Sequence, residues 1–150
     1  MVVEADMVQE VRSSVTVKLP PDEAFRLFTE RIGGWWPRDR HSVFGAEATV
    51  TMEPRLGGRV IESSADGQTS KWGTITEWQP GERMALTWHP GDEAELATLV
   101  EVTFSEAPDG GTLVDLLHTG WGVHGAEAAA SAASYRDGWP TVLESLAKAA

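Results

Sequence analysis

Between Ala48 and His118 the chain alternates apolar and polar residues in six short runs, each closed by a turn signal. A period of two marks a strand with one buried face. Ala48, Val50 and Met52 form the first run, which stops at Pro54. In the second, Val60, Glu62 and Ser64 share one face against Arg59, Ile61 and Ser63, and Asp66-Gly67 ends it as a hairpin turn. Lys71–Trp78 is the third, broken by Pro80-Gly81. Met84, Leu86 and Trp88 alternate in the fourth, up to Pro90-Gly91-Asp92. Val100, Val102 and Phe104 make the fifth, then Asp109-Gly110-Gly111 turns the chain into Val114, Leu116 and His118. Connections this short join antiparallel neighbours. A seventh strand precedes them: Val11, Ser13, Val15, Val17 and Leu19 alternate with Arg12, Ser14, Thr16 and Lys18 until Pro20-Pro21. Within the third run the parity of Trp72 conflicts with that of Ile75, so one facing is wrong or a bulge intervenes.

A sheet of this kind has an apolar face to cover, and the helices supply the cover. Two short helices are expected after the first strand. Pro21, Asp22 and Glu23 suit a helix N-terminus, and Ala24, Phe25, Leu27, Phe28 and Ile32 mark an apolar stripe ending at Gly33-Gly34. Gly125–Ala150 reads as the one long helix. Trp139, Val142, Leu143, Leu146 and Ala150 recur at steps of three and four, and Glu144 and Lys148 lie four apart on another face. Pro140 should kink it or force a fresh start. Its first half, Ala126–Ala133, is nearly all alanine, which propagates a helix but fills little space. The expected architecture is therefore α+β: a seven-stranded curved antiparallel sheet wrapped around a long C-terminal helix, with a cavity beside the alanines.

The length of 150 residues suits a single domain, with residues 1–7 read as a flexible N-terminus. The first ten residues carry acid and no base, unlike a signal or transit peptide. No apolar run is long enough for membrane insertion. Twelve Lys and Arg against 23 Asp and Glu leave a formal charge of −11, which argues against nucleic acid as a partner. The absence of cysteine removes thiol chemistry and disulfides, and fits a cytoplasmic protein.

Gly120-Trp121-Gly122-Val123-His124-Gly125 matches G-x-G-x-x-G, but no second parallel strand follows to complete a dinucleotide site, so a flexible loop is expected. The four histidines, His41, His89, His118 and His124, have no metal-ligand spacing, and no metal or other cofactor is expected. Glu62 and His118 sit where the alternation otherwise places valine and leucine. They are strand-end residues reaching water, satisfied buried polar groups, or a polar pair that orients a ligand or moves a proton. His41 is the third candidate acid or base.

Trp35-Trp36-Pro37, Gly57-Gly58-Arg59, Trp72–Pro80, Leu86-Thr87-Trp88, His118–Trp121 and Gly138-Trp139 with Leu143 and Leu146 carry a family resemblance. With the order of elements, they resemble the START-like (SRPBCC) superfamily, in the branch of activators of a heat-shock-protein ATPase. The resemblance covers Val11 to Leu146 and implies the helix-grip fold with a hydrophobic cavity. It implies a small hydrophobic ligand, such as a lipid, polyketide or flavonoid-like aromatic, bound by a carrier or sensor. A cyclase or hydratase using the same cavity is the alternative, and a co-chaperone acting in the stress response ranks behind both. The chain would act as a monomer or homodimer. The expected cavity wall is Trp35, Trp36, Val60, Glu62, Trp72, Leu86 and Trp88 on one flank. Leu116, His118, Trp121, Ala129, Ala132 and Tyr135 complete it. Trp139 is expected to anchor the core instead.

Overall fold

The computed structural model describes residues 10–37, 43–45 and 47–150. His41 and the N-terminal residues 1–7 therefore lie outside the described residues. The alternating runs become β1 (Val11–Val17), β2 (Thr49–Met52), β3 (Arg59–Ser63), β4 (Thr69–Gln79), β5 (Arg83–Trp88), β6 (Thr98–Glu106) and β7 (Thr112–Thr119). They form one antiparallel sheet in the order β1-β7-β6-β5-β4-β3-β2. β2 to β7 is thus a meander of sequential neighbours, and β1 adds to its far edge through Val15 opposite Val114. Thr112, Val114, Leu116 and His118 are buried along β7 while the residues between them are not, as a half-buried strand requires.

The conflict at Trp72 resolves as a bulge. Val60 pairs with Gly73 but Ile61 pairs with Lys71, so Trp72 is the extra residue on β4. The bulge turns the indole inward, where it is fully buried. Gly73 is required beside it, because a Cβ there would lie 1.8 Å from the carbonyl oxygen of Thr87 on β5.

The helices lie on the concave side. α1 (Pro21–Phe28) starts with proline at its first turn and buries Ala24, Phe25, Leu27 and Phe28. Phe25 meets Trp78 and Phe104 edge-on, with ring centroids 4.9 and 5.1 Å apart. A single 3₁₀ turn follows at Ile32–Gly34. The long helix α2 runs from Ala128 to Ala149 and packs against β1. It begins three residues later than expected. Gly125 has φ 57° and ψ −126°, which breaks the helical path, and Trp121–Glu127 forms a 3₁₀ segment instead. Pro140 lies inside α2 without a fresh start. Trp139, Val142, Leu143 and Leu146 are buried as the spacing required, and Lys148 reaches Glu144 at 3.1 Å. This is the α+β helix-grip architecture.

Candidate functional site

The buried polar side chains Glu62 and His118 do not form a pair. Glu62 on β3 is fully buried, and its oxygens accept the backbone N–H groups of Val43 (2.7 Å) and Phe44 (2.8 Å) and the indole N–H of Trp72 (3.1 Å). It ties the segment before β2 to the sheet. His118 on β7 has other partners. The Trp139 indole donates to its Nδ1 at 3.0 Å, so Nε2 carries the proton of the neutral ring. That proton points at Thr98 Oγ1, 2.6 Å away, and Thr98 in turn donates to the carbonyl of Trp88 at 3.2 Å. Burial first, and the neighbouring His124 second, push the His118 pKa down to about 3. His118 is a neutral strut joining α2, β7 and β6. Both groups thus match the satisfied-buried reading.

Tryptophan fills the middle of the domain. Trp36 lies 5.1 Å from Trp72, 5.9 Å from Trp88 and 6.2 Å from Trp139, ring centroid to centroid. Trp35 is locked by its indole N–H to the Leu27 carbonyl at 2.7 Å. Val60, Leu86 and Leu116 are buried around these rings. Trp121 stacks on His118 at 4.1 Å and donates to its carbonyl. Among the described residues this part of the expected cavity wall is packed core.

Open volume exists further along α2. A cleft of about 440 Å³ lies between the ends of β5 and β6 and the first turns of α2. Trp88 and Thr98 come from the sheet, His89 and Asp92 from the turn after β5, and His124 and Glu127 from the 3₁₀ segment. Ala130, Ser131, Ser134 and Tyr135 line it from α2. Of the expected wall residues, Trp88 and Tyr135 border this cleft. Ala129 faces solvent and Ala132 is buried in the core, because the helical period carried back from Trp139 sets the inward face of α2 at Ala128, Ala132, Tyr135 and Trp139. The cleft is also more polar than the apolar cavity expected.

Its hydrogen bonds are asymmetric. The Trp88 indole donates to Tyr135 Oη at 3.2 Å, which leaves the phenol proton to point elsewhere. Burial, aided by the charge of Asp92 and opposed by the Trp88 bond, raises the Tyr135 pKa above its ordinary value, so the hydroxyl stays a donor. His124 has both ring nitrogens engaged, Nδ1 with Ser131 Oγ at 2.8 Å and Nε2 with the Leu96 carbonyl at 3.0 Å. Among the described residues His89 has one engaged, its Nδ1 donating to the Asp92 carbonyl at 3.0 Å. His89 was not anticipated. The signal was present in His89-Pro90-Gly91-Asp92, a turn that brings a carbonyl back onto the imidazole. No group of three or more metal-ligating side chains occurs among the described residues.

A curved antiparallel sheet gripping one long helix, with a cleft between them, defines a member of the START-like superfamily. Within it the chain belongs to the family described as "Activator of Hsp90 ATPase homolog 1-like protein", whose profile matches residues 18–150. No curated protein sequence matches it significantly. Among solved structures it is 36% identical to an anthrahydroquino-gamma-pyrone synthase, Txn09, over 79% of this chain and 81% of that one, with a TM-score of 0.57. Protein MLL2253 from Mesorhizobium loti superposes with a TM-score of 0.68 at 18% identity, over 93% of this chain and 94% of that one. The Aha1 dimer from Colwellia psychrerythraea superposes with a TM-score of 0.67 at 15% identity, again over 93% and 94% of the two chains. The last two likenesses speak for the fold alone.

Proposed function

We propose that this chain is an enzyme that closes an oxygen-containing ring on a planar, oxygenated aromatic substrate of the polyketide type, bound in the cleft beside Tyr135. The observation that carries this is the meeting of an aromatic wall, Trp88 with Tyr135, and protonatable groups in one cleft. Aromatic surface supplies affinity, and a few directed polar groups set the orientation of a ligand. The 36% identity to a pyrone-forming synthase supports the same class of reaction. A plain hydrocarbon chain suits the cleft less well, because His89, Asp92, Glu127 and Ser134 would lose water without gaining partners.

Tryptophan fluorescence tests the reading. A planar hydroxyanthraquinone should quench it saturably, and a saturated fatty acid of similar mass should not. Tighter binding of the fatty acid would overturn the aromatic assignment. Binding of phenolic ketones with no accelerated ring closure would return the chain to a carrier.

A further inference from the structure

We infer that His89 is the proton acceptor of the site and Tyr135 its hydrogen-bond donor to the carbonyl, acting on a phenol that bears a conjugated ketone beside its hydroxyl. This rests on the ring-closing reading above. Three histidines lie near the cleft, and their hydrogen bonds separate them. His118 and His124 each have both nitrogens engaged. Among the described residues only Nδ1 of His89 has a partner, and that partner is a carbonyl, which can only accept. In the neutral ring the proton therefore sits on Nδ1, and Nε2 keeps its lone pair. The Asp92 carbonyl thus sets the tautomer, as a carbonyl or carboxylate behind a catalytic imidazole does. Asp92 and Glu127 also line the cleft, but both are exposed to water, and a carboxylate is the weaker base.

Tyr135 is the complement. Its oxygen already accepts from Trp88, so what it offers a ligand is its O–H. A substrate that fits both groups carries a hydroxyl for His89 and a carbonyl for Tyr135.

The step balances without a co-reactant. The phenol proton goes to His89 Nε2 as the phenol oxygen bonds to the β-carbon of the unsaturated ketone. The π electrons move onto the carbonyl oxygen, where the Tyr135 hydroxyl donates to the developing charge. The resulting enolate takes the proton back from His89 at its α-carbon. One O–H and one C–C π bond are lost, one C–O and one C–H bond are formed, and the product is an isomer.

The test uses the full chain and an ortho-hydroxychalcone, followed by loss of its visible absorbance and, for binding, by tryptophan fluorescence. His89→Asn keeps an amide N–H near the place of Nδ1, so the turn onto Asp92 survives while the basic nitrogen is gone. It should weaken binding only by the one lost hydrogen bond, about tenfold at most, and slow closure by about a hundredfold or more, the usual contribution of a general base. Tyr135→Phe should slow closure by a similar factor of about a hundred, as loss of one donor to a developing oxyanion does. If the parent accelerates closure and His89→Asn does so equally, the assignment of His89 is overturned while the ring-closing reading stands. If Tyr135→Phe is as fast as the parent, the assignment of Tyr135 falls in the same way. If the parent binds the chalcone without accelerating its closure, or fails to bind it, the ring-closing reading falls and this inference with it.

Discussion

Replacing His118 by glutamine should flatten the dependence of stability on pH. His118 is fully buried and neutral, with its pKa moved from 6.5 to about 3. Because the folded value is the lower one, the unfolded chain binds more protons between the two. Stability is therefore complete above pH 6.5 and falls as the pH drops through that interval. Across the whole interval, roughly 3.5 pH units at about 1.4 kcal/mol each, the loss approaches about 5 kcal/mol. Only its upper part is cleanly readable. Glu53, held down to about 2 chiefly by its hydrogen bonds from Arg59, loses its contribution as the pH falls below 4.5. From pH 6.5 down to 4.5 the His118 share is about 2.7 kcal/mol, a substantial part of the roughly 5–15 kcal/mol of a domain. Urea unfolding of the parent and of His118→Gln at four pH values in that window measures it. The variant starts less stable, having disturbed Trp139 and Thr98, but its curve should be flatter than the parent's by about 2.7 kcal/mol over the window. Parallel curves would refute the neutral strut.

Trp139→Ala should cost about 3–5 kcal/mol in denaturant unfolding, because it empties a site touching Trp36, Trp88 and Tyr135 and strips the donor from His118. A fully stable variant would displace Trp139 from the core. Ala132→Leu should cost about 1–3 kcal/mol by overpacking a site that is 1% exposed. Ala129→Leu, on the solvent side, should stay within about 0.5 kcal/mol of the parent. Equal effects at the two alanines would mean that the inward face of α2 is misassigned.

The strands are legible in the sequence because each has one buried face and a turn signal at its end. Both signals are local. Even the Trp72 bulge leaves a trace, as a break in parity against Ile75. The inward face of the last half of α2 is equally plain, since Trp139, Val142, Leu143 and Leu146 are large and regularly spaced. The first half carries no such mark. Alanine suits either side of a helix, so nothing local told Ala129 from Ala132, and Gly125 moved the helix start without disturbing the alanine run. The cleft was harder still. Its lining comes from the ends of β5 and β6, the 3₁₀ segment and α2, and only the folded chain brings them together. Glu62 and His118 stood out correctly as polar residues on an apolar face. Their partners, the backbone of Val43 and Phe44 in one case and Trp139 and Thr98 in the other, are set by tertiary contacts that alternation does not encode.

The position of β1 bears on how the chain assembles. Every pairing from β2 to β7 joins sequential strands through a short connection, so each can form soon after its residues meet. β1 differs: Val11 pairs with His118, and Val17 with Thr112. On a ribosome the first strand made must wait until almost the whole chain has emerged before its partner exists. Until then β7 presents an open edge, and the surface of α2 that packs on β1 is uncovered. The last closure is also the most non-local one, which sets a slow step in folding. A chain lacking β1 would keep a strand-shaped vacancy beside β7, open to a synthetic peptide of residues 11–17 supplied in trans.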